Sequence, residues 1–338
     1  MISWKKSSFL LVLAGLLVYG VFKLDIHKMG YYVLHVDPWY LGLVFFFSVL
    51  SFVLWNVRWQ FSLLPVGRIP FFRLLPVLMA GMFVNIVTPT AGLGGEPVRA
   101  YYIRNCTRAK IGEVLVLTVL EKLFGTAVTV VAVVFSLVYL TFFVPGDVVR
   151  GAFLLLLLAL LVLLCLVIVV LWNARIRHWG VVDWGLKLLY KMKIFSLFSK
   201  NFSSFAAFKR FVFQEVDRCK LLLKKVFREK WFVYGNLALT VVITLVNYLI
   251  FYCAFLAIGY ELDLVHTIIV FTLATVLGDI SFIPGGAGVT EVLSVGLLSA
   301  FGMSLEMAAT ATLVYRAVYY VLTLGVGYLC LVYVQWND

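Results

Sequence analysis

Residues 284–291 read Pro284-Gly285-Gly286-Ala287-Gly288-Val289-Thr290-Glu291, and residues 89–96 read Pro89-Thr90-Ala91-Gly92-Leu93-Gly94-Gly95-Glu96. Each stretch runs from a proline to a glutamate through three glycines, and each lies in a strongly apolar neighbourhood. Proline and glycine interrupt helices, and a carboxylate at membrane depth is costly. A second ionisable residue follows each glutamate by 25 residues, Glu121 in the first copy and Arg316 in the second. A broken, charged segment repeated at matched spacing reads as two repeats around a polar midplane site, a plan recurrent among transporters.

Composition sets the solvent. Of 338 residues, 64% are hydrophobic and 13% charged, far above the roughly 45–50% apolar share of soluble domains. The expected fold class is an all-α integral membrane protein. It has about six full transmembrane helices and two oppositely oriented re-entrant helical hairpins in an inverted repeat. Cys106, Cys165, Cys219, Cys253 and Cys330 are scattered without a C-x-x-C, and His27, His35, His178 and His266 have no ligand spacing. No metal site and no cofactor are expected.

A hydrocarbon core takes about 20 apolar residues per helix. The candidate crossings are Ser8–Phe22, Trp39–Val57, Val114–Val144, Gly151–Trp172, Trp231–Ile258 and Leu305–Val334. Leu74–Val87 and Thr267–Ile283 are too short or too broken to cross alone. Each runs into a Pro-Gly stretch and then a second short helix, Glu96–Asn105 or Thr290–Phe301. Charge orients them. The first pair is flanked by Arg58, Arg68 and Arg73 on one side and by Arg99, Arg104, Arg108 and Lys110 on the other. Both flanks therefore read as cytoplasmic. The second pair is flanked by Glu261, Asp263 and Glu306 and by no basic residue, so it enters from outside. With Lys5 and Lys6 cytoplasmic, the crossings alternate consistently. The whole chain, 1–338, is one domain, with repeat one at about 39–144 and repeat two at about 231–335.

Between the repeats, residues 173–230 hold 14 of the 28 Lys and Arg residues. Nucleic-acid binding is the other use of such a block. In a chain this hydrophobic the positive-inside rule takes precedence and makes the loop cytoplasmic. The stripe Phe208, Phe211, Val212, Val216, Cys219, Leu222, Leu223 and Val226 is helical in spacing. It fits either an amphipathic helix on an anionic leaflet or a solvated hairpin packed on the bundle.

The candidate site residues come from the two repeats. Gly94, Gly95, Gly285 and Gly286 give backbone freedom next to a helix start, where exposed N–H groups attract anions. Glu96, Arg99, Glu121, Glu291 and Arg316 are the ionisable groups at depth, and Asn85 and Asp279 lie just before the two prolines. A mid-span arginine needs a partner, and Glu291, Glu96 and Glu121 are available to Arg316. Two readings stay open: a static ion-pair network that locks the repeats, or a polar cavity that binds a lipid headgroup. No G-x-S-x-G and no Lys-Ser/Thr pair after a glycine loop is present, so no enzyme is expected.

The runs Pro89–Ala100 and Pro284–Glu291, with Ala308, Ala309 and Arg316 downstream, resemble the lysylphosphatidylglycerol synthase transmembrane region. This is the flippase-like domain of the multiple peptide resistance factor. The resemblance covers nearly the whole chain. It implies a multi-pass protein of the plasma or inner membrane that handles an anionic, aminoacylated or polyprenyl-phosphate-linked lipid, with Glu96, Arg99, Glu291 and Arg316 near the headgroup path. Members that make lysylphosphatidylglycerol carry a large C-terminal synthase domain, and this sequence ends at Asp338. The expected function is a lipid flippase-like transporter. The alternative is a membrane subunit of a lipid-modifying or glycosyltransferase system, with a separate synthase or glycosyltransferase as partner. A homo-oligomer is compatible with either.

Overall fold

A computed structural model describes residues 26–90, 92, 94–106, 111–143, 151, 154–156, 158 and 221–336. Among these every regular element is helical. The chain divides into two compact units, Met1–Ser136 with Lys230–Asp338, and Leu137–Glu229. In the second unit the described residues are the end of a long helix, helical positions between 151 and 158, and a helical stretch at 221–228. The expected crossing Ser8–Phe22 and most of Gly151–Trp172 and of the basic loop lie outside the described residues.

The first unit contains α1 (Ile26–Leu34), α2 (Pro38–Ser62), α3 (Phe71–Val87), α4 (Gly95–Cys106) and α5 (Ile111–Phe143, whose end enters the second unit). After the basic loop come α6 (Lys230–Leu256), α7 (Leu264–Ile280), a short 3₁₀ turn at Pro284–Gly286, α8 (Val289–Ala300), α9 (Leu305–Tyr320) and α10 (Gly327–Trp336). A π-helical segment, Val321–Val326, joins α9 to α10 in one long rod. Among the described residues four helices are long and apolar enough to cross a membrane: Pro38–Ser62, Gly112–Phe143, Lys230–Leu256 and Leu305–Trp336. They match four of the six expected crossings. The short helix α1 was not expected; it packs against α9.

The two halves correspond element by element. Helices α2, α3, α4 and α5 have 25, 17, 12 and 33 residues. Helices α6, α7, α8 and the α9–α10 rod have 27, 17, 12 and 32. The equivalent helices α2 and α6 pack against each other, and their contacts run in opposite order. Asp37 N–H donates to Ala257 O at 2.8 Å, Ser51 Oγ to Asn247 Oδ1 at 2.9 Å, and Ser62 Oγ to Asn236 Oδ1 at 2.6 Å. The two helices are therefore antiparallel along their length.

Local sequence sets the helix starts. Asp37 Oδ1 accepts from Trp39 N–H at 2.8 Å, with Pro38 in the first turn, where a missing N–H costs nothing. Asp263 Oδ1 accepts from Val265 N–H at 2.7 Å. The acidic residue read as an outside flank thus also caps α7. Within the long helices, hydroxyls return to their own backbone: Ser48 Oγ to Val44 O, Thr118 Oγ1 to Val114 O, Thr312 Oγ1 to Ala308 O. That removes unpaired polar atoms from an apolar solvent.

The distribution of side chains is that of a membrane protein. Phe45, Phe46, Val241, Leu245, Leu249 and Leu329 are exposed, whereas Asn56, Arg58, Glu96, Arg99, Glu121, Asn236 and Arg316 are buried. Water as solvent would reverse this arrangement. A conventional apolar core exists around α6–α9, where Phe251, Phe255, Val270, Leu298 and Tyr315 pack together.

Candidate functional site

Each glycine-rich stretch folds as the turn of a helix–turn–helix hairpin, α3–α4 and α7–α8. Close approach explains the glycines. A Cβ on Gly95 would collide with the Gly81 carbonyl, and Gly278 and Gly286 both lie against the Thr290 side chain. Gly285 (φ 59°), Gly286 (φ 63°) and Gly288 (φ 84°) are all left-handed, a conformation that costs glycine little. Phe282, just before them, is the one non-glycine with positive φ (56°) among the described residues. The hairpin tips meet: a Cβ on Gly285 would lie 3.2 Å from Ile86 Cγ2.

A cavity of about 630 Å³ opens between these tips and helices α2, α5, α6 and α9. Its ionisable lining is Arg58, Glu96, Arg99, Glu121, Lys122, Asp279 and Arg316. Hydroxyls and aromatics, among them Thr240, Thr244, Thr272, Tyr248, Tyr315 and Tyr319, complete the wall.

The charged groups form two clusters. In the first, Glu121 of α5 is shared. Its Oε1 accepts from Arg58 Nε at 3.0 Å and Nη2 at 2.8 Å, and its Oε2 accepts from Arg99 Nη2 at 2.9 Å. Arg99 Nη1 donates to Glu96 Oε2 at 2.9 Å. Lys122 Nζ stands 3.1 Å from Glu96 Oε1, a charge contact without hydrogen-bond alignment, and also donates to Gly92 O. Arg58 Nη1 reaches Thr240 Oγ1 of α6 at 3.1 Å. The Arg99 guanidinium lies 4.1 Å above the Trp59 ring, a favourable stacking for a delocalised cation. The chain of ions therefore ties α4 to α2 and α5.

The second cluster is sparser. Arg316 Nε donates to Glu291 Oε1 at 2.6 Å, and Nη2 donates to Gly285 O at 2.8 Å. The other Glu291 oxygen accepts from Gly288 N–H at 2.7 Å. The Arg316 guanidinium lies 4.8 Å from the Tyr320 ring centroid. Arg316 lines the cavity, and its Nη1 has no carboxylate or carbonyl partner among the described residues.

In both repeats the first-turn carboxylate of the second hairpin helix is joined to the long helix that follows. The link is direct in the pair Glu291–Arg316 and passes through Arg99 in Glu96–Arg99–Glu121. Of the three carboxylates open to Arg316, the fold gives it Glu291. Glu96 and Glu121 are taken by Arg99, Lys122 and Arg58. Glu96 does not cap α4, because both of its oxygens face cations. Asn85 lines the cavity and closes the first hairpin, its Oδ1 accepting from Gly95 N–H at 2.6 Å. Asp279 and the backbone of Gly285 and Gly286 also line the cavity, whereas Gly94 and Gly95 lie in the packing behind it.

Arg58 corrects the sequence reading. It was counted with the cytoplasmic flank, yet it lies inside α2, buried and paired with Glu121. A signal was available: the apolar run continues past it through Trp59 and Phe61, so Arg58 sits inside a helix that ends only at Ser62. Thr240 and Trp59 carried no signal, since a threonine or tryptophan in an apolar span is ordinary.

The sequence compares with known proteins over this whole architecture. A UPF0104 membrane protein of Methanocaldococcus jannaschii is 25% identical over 334 residues, covering 98% of this chain and 95% of the relative. A UPF0104 membrane protein of Methanothermobacter thermautotrophicus is 24% identical, covering 83% of this chain and 81% of the relative. One of Pyrococcus horikoshii is 23% identical, covering 80% and 79%. The family described as lysylphosphatidylglycerol synthase TM region matches residues 8–327, which include both hairpins and every residue of the two charge clusters. This multi-pass membrane protein belongs to the lysylphosphatidylglycerol synthase transmembrane-region family.

Proposed function

We propose that the protein is a flippase-like lipid transporter of the cell membrane, with its N-terminus cytoplasmic, and that the cavity receives the phosphate-bearing headgroup of an anionic lipid. In this reading α3–α4 and α7–α8 are re-entrant hairpins that enter from opposite faces. The antiparallel α2–α6 pair and the matched helix lengths support that geometry. Broken helices that meet at the midplane are the usual way to build a polar site in a bilayer.

The observation that carries the reading is Arg316. It lines the cavity, held by Glu291 and the Gly285 carbonyl, yet its Nη1 has no carboxylate or carbonyl partner among the described residues. A buried guanidinium that lines a polar cavity and has donor capacity to spare is suited to a phosphate oxygen. The hydroxyl-lined wall and the exposed apolar flanks fit a ligand with a polar head and lipid tails.

The test separates binding from architecture. Removing one member of a buried pair costs about 3–5 kcal/mol, largely through the charge left behind, so both are neutralised together. Arg316→Met with Glu291→Gln should keep its detergent stability and lose translocation of fluorescent phosphatidylglycerol in proteoliposomes. A stable double variant that transports at the wild-type rate would return both residues to architecture.

A further inference from the structure

Among the ionisable residues of the cavity, Asp279 stands apart. Its carboxylate has no hydrogen bond and no ion pair among the described residues, and it is exposed to the cavity. The other three carboxylates each hold two partners: Glu96 has Arg99 and Lys122, Glu121 has Arg58 and Arg99, and Glu291 has Arg316 and the Gly288 N–H. Asp279 is therefore the carboxylate whose protonation breaks no bond. It is the next-to-last residue of α7, at the end where the helix dipole offers a carboxylate no support.

Two cations and two hydroxyls act on Asp279. Lys122 of α5 and Arg316 of α9 are the cations whose fields reach it. From α9 come also the hydroxyls of Tyr315 and Tyr319. On α6, Tyr248 lines the same cavity and is already bonded to Thr272. On α8, Glu291 is engaged by Arg316 and is not among the groups whose field reaches Asp279. Counted with Glu291, the site holds four cations (Arg58, Arg99, Lys122, Arg316) and four carboxylates (Glu96, Glu121, Asp279, Glu291). Their formal charges cancel. A phosphodiester adds a negative charge to a low-dielectric space, where an uncompensated charge is expensive.

We infer that Asp279 takes up one proton when an anionic phosphodiester enters the cavity, so that lipid binding and proton binding are coupled. The phosphodiester keeps its charge, the proton comes from solvent water, and no ion pair is broken. This rests on the lipid-handling reading above.

The full-length protein in detergent is titrated calorimetrically with dihexanoyl phosphatidylglycerol at one neutral pH, in two buffers of different ionisation heat. The difference in heats gives protons taken up per ligand bound. Wild type should take up one proton, and its affinity should fall about tenfold per pH unit as pH rises, because binding then competes with proton loss. Asp279→Asn should still bind with no proton uptake and a flat pH profile, and Asp279→Glu should keep the uptake. Dihexanoyl phosphatidylcholine, which brings no net charge, should bring no proton. Wild type binding phosphatidylglycerol without proton uptake, or Asp279→Asn retaining the uptake, would overturn the inference and leave the lipid reading intact. Failure of wild type to bind phosphatidylglycerol at all would remove both.

Discussion

Arg58 Nη2 lies 2.8 Å from Glu121 Oε1, joining residues 63 positions apart and linking the first long helix of the unit to the helix that follows the first hairpin. Glu121 is the hub of its cluster, because Arg58 and Arg99 each rely on it. Replacing Glu121 with glutamine strands both cations in a buried setting. We expect a loss of about 3–5 kcal/mol, read as a lower midpoint of thermal unfolding in detergent. Adding Arg58→Met should recover part of that loss, since Arg99 keeps Glu96. An unchanged midpoint for Glu121→Gln would mean that water reaches the cluster freely.

Glycine is required at the first hairpin for a steric reason. A methyl group at Gly95 meets the backbone of Gly81, not a yielding side chain. Gly95→Ala should part α3 from α4, break the Gly95–Asn85 bond and lower stability by more than about 2 kcal/mol, in the range of overpacked cores. Gly42→Ala and Gly296→Ala serve as controls, since nothing lies within 4 Å of either added Cβ. Both should be neutral or gain the roughly 0.5–1 kcal/mol that alanine brings to a helix interior. Equal behaviour of the three variants in unfolding assays would refute the close-crossing argument.

Orientation of the hairpins is open to chemistry. In a variant without its native cysteines, a cysteine at Arg104, exposed near the end of α4, should react with an impermeant maleimide only from the cytoplasmic side. A cysteine at Asp263, the exposed cap of α7, should react only from outside. Labelling of both from one side would rule out opposite entry of the two hairpins.

Several features were legible before any coordinates. The Pro-to-Glu stretches fixed the places where helices must break, because proline and clustered glycine oppose helical backbone wherever they fall. The helices ended accordingly at Val87 and Ile280 and resumed at Gly95 and Val289. The matched offset of 25 residues marked Glu121 and Arg316 as equivalent positions, and both proved to be buried and ion-paired. The pairing itself was not legible. Arg316 had three carboxylates to choose from, and which one it meets depends on how separate helices pack.

By itself the sequence determined the solvent, the helical class, the two breaks and the set of charges that must find partners. These follow from local chemistry: apolar run length, proline and glycine at fixed positions, and the cost of an unpaired charge in hydrocarbon. Only the tertiary structure decided who pairs with whom. It moved Arg58 from a presumed flank into a buried cluster around Glu121, gave Glu291 to Arg316, and left Asp279 in the cavity without a partner among the described residues. Pairing depends on which faces of α2, α5, α6 and α9 turn inward together, and that is set by packing between helices far apart in the chain, which no local pattern records.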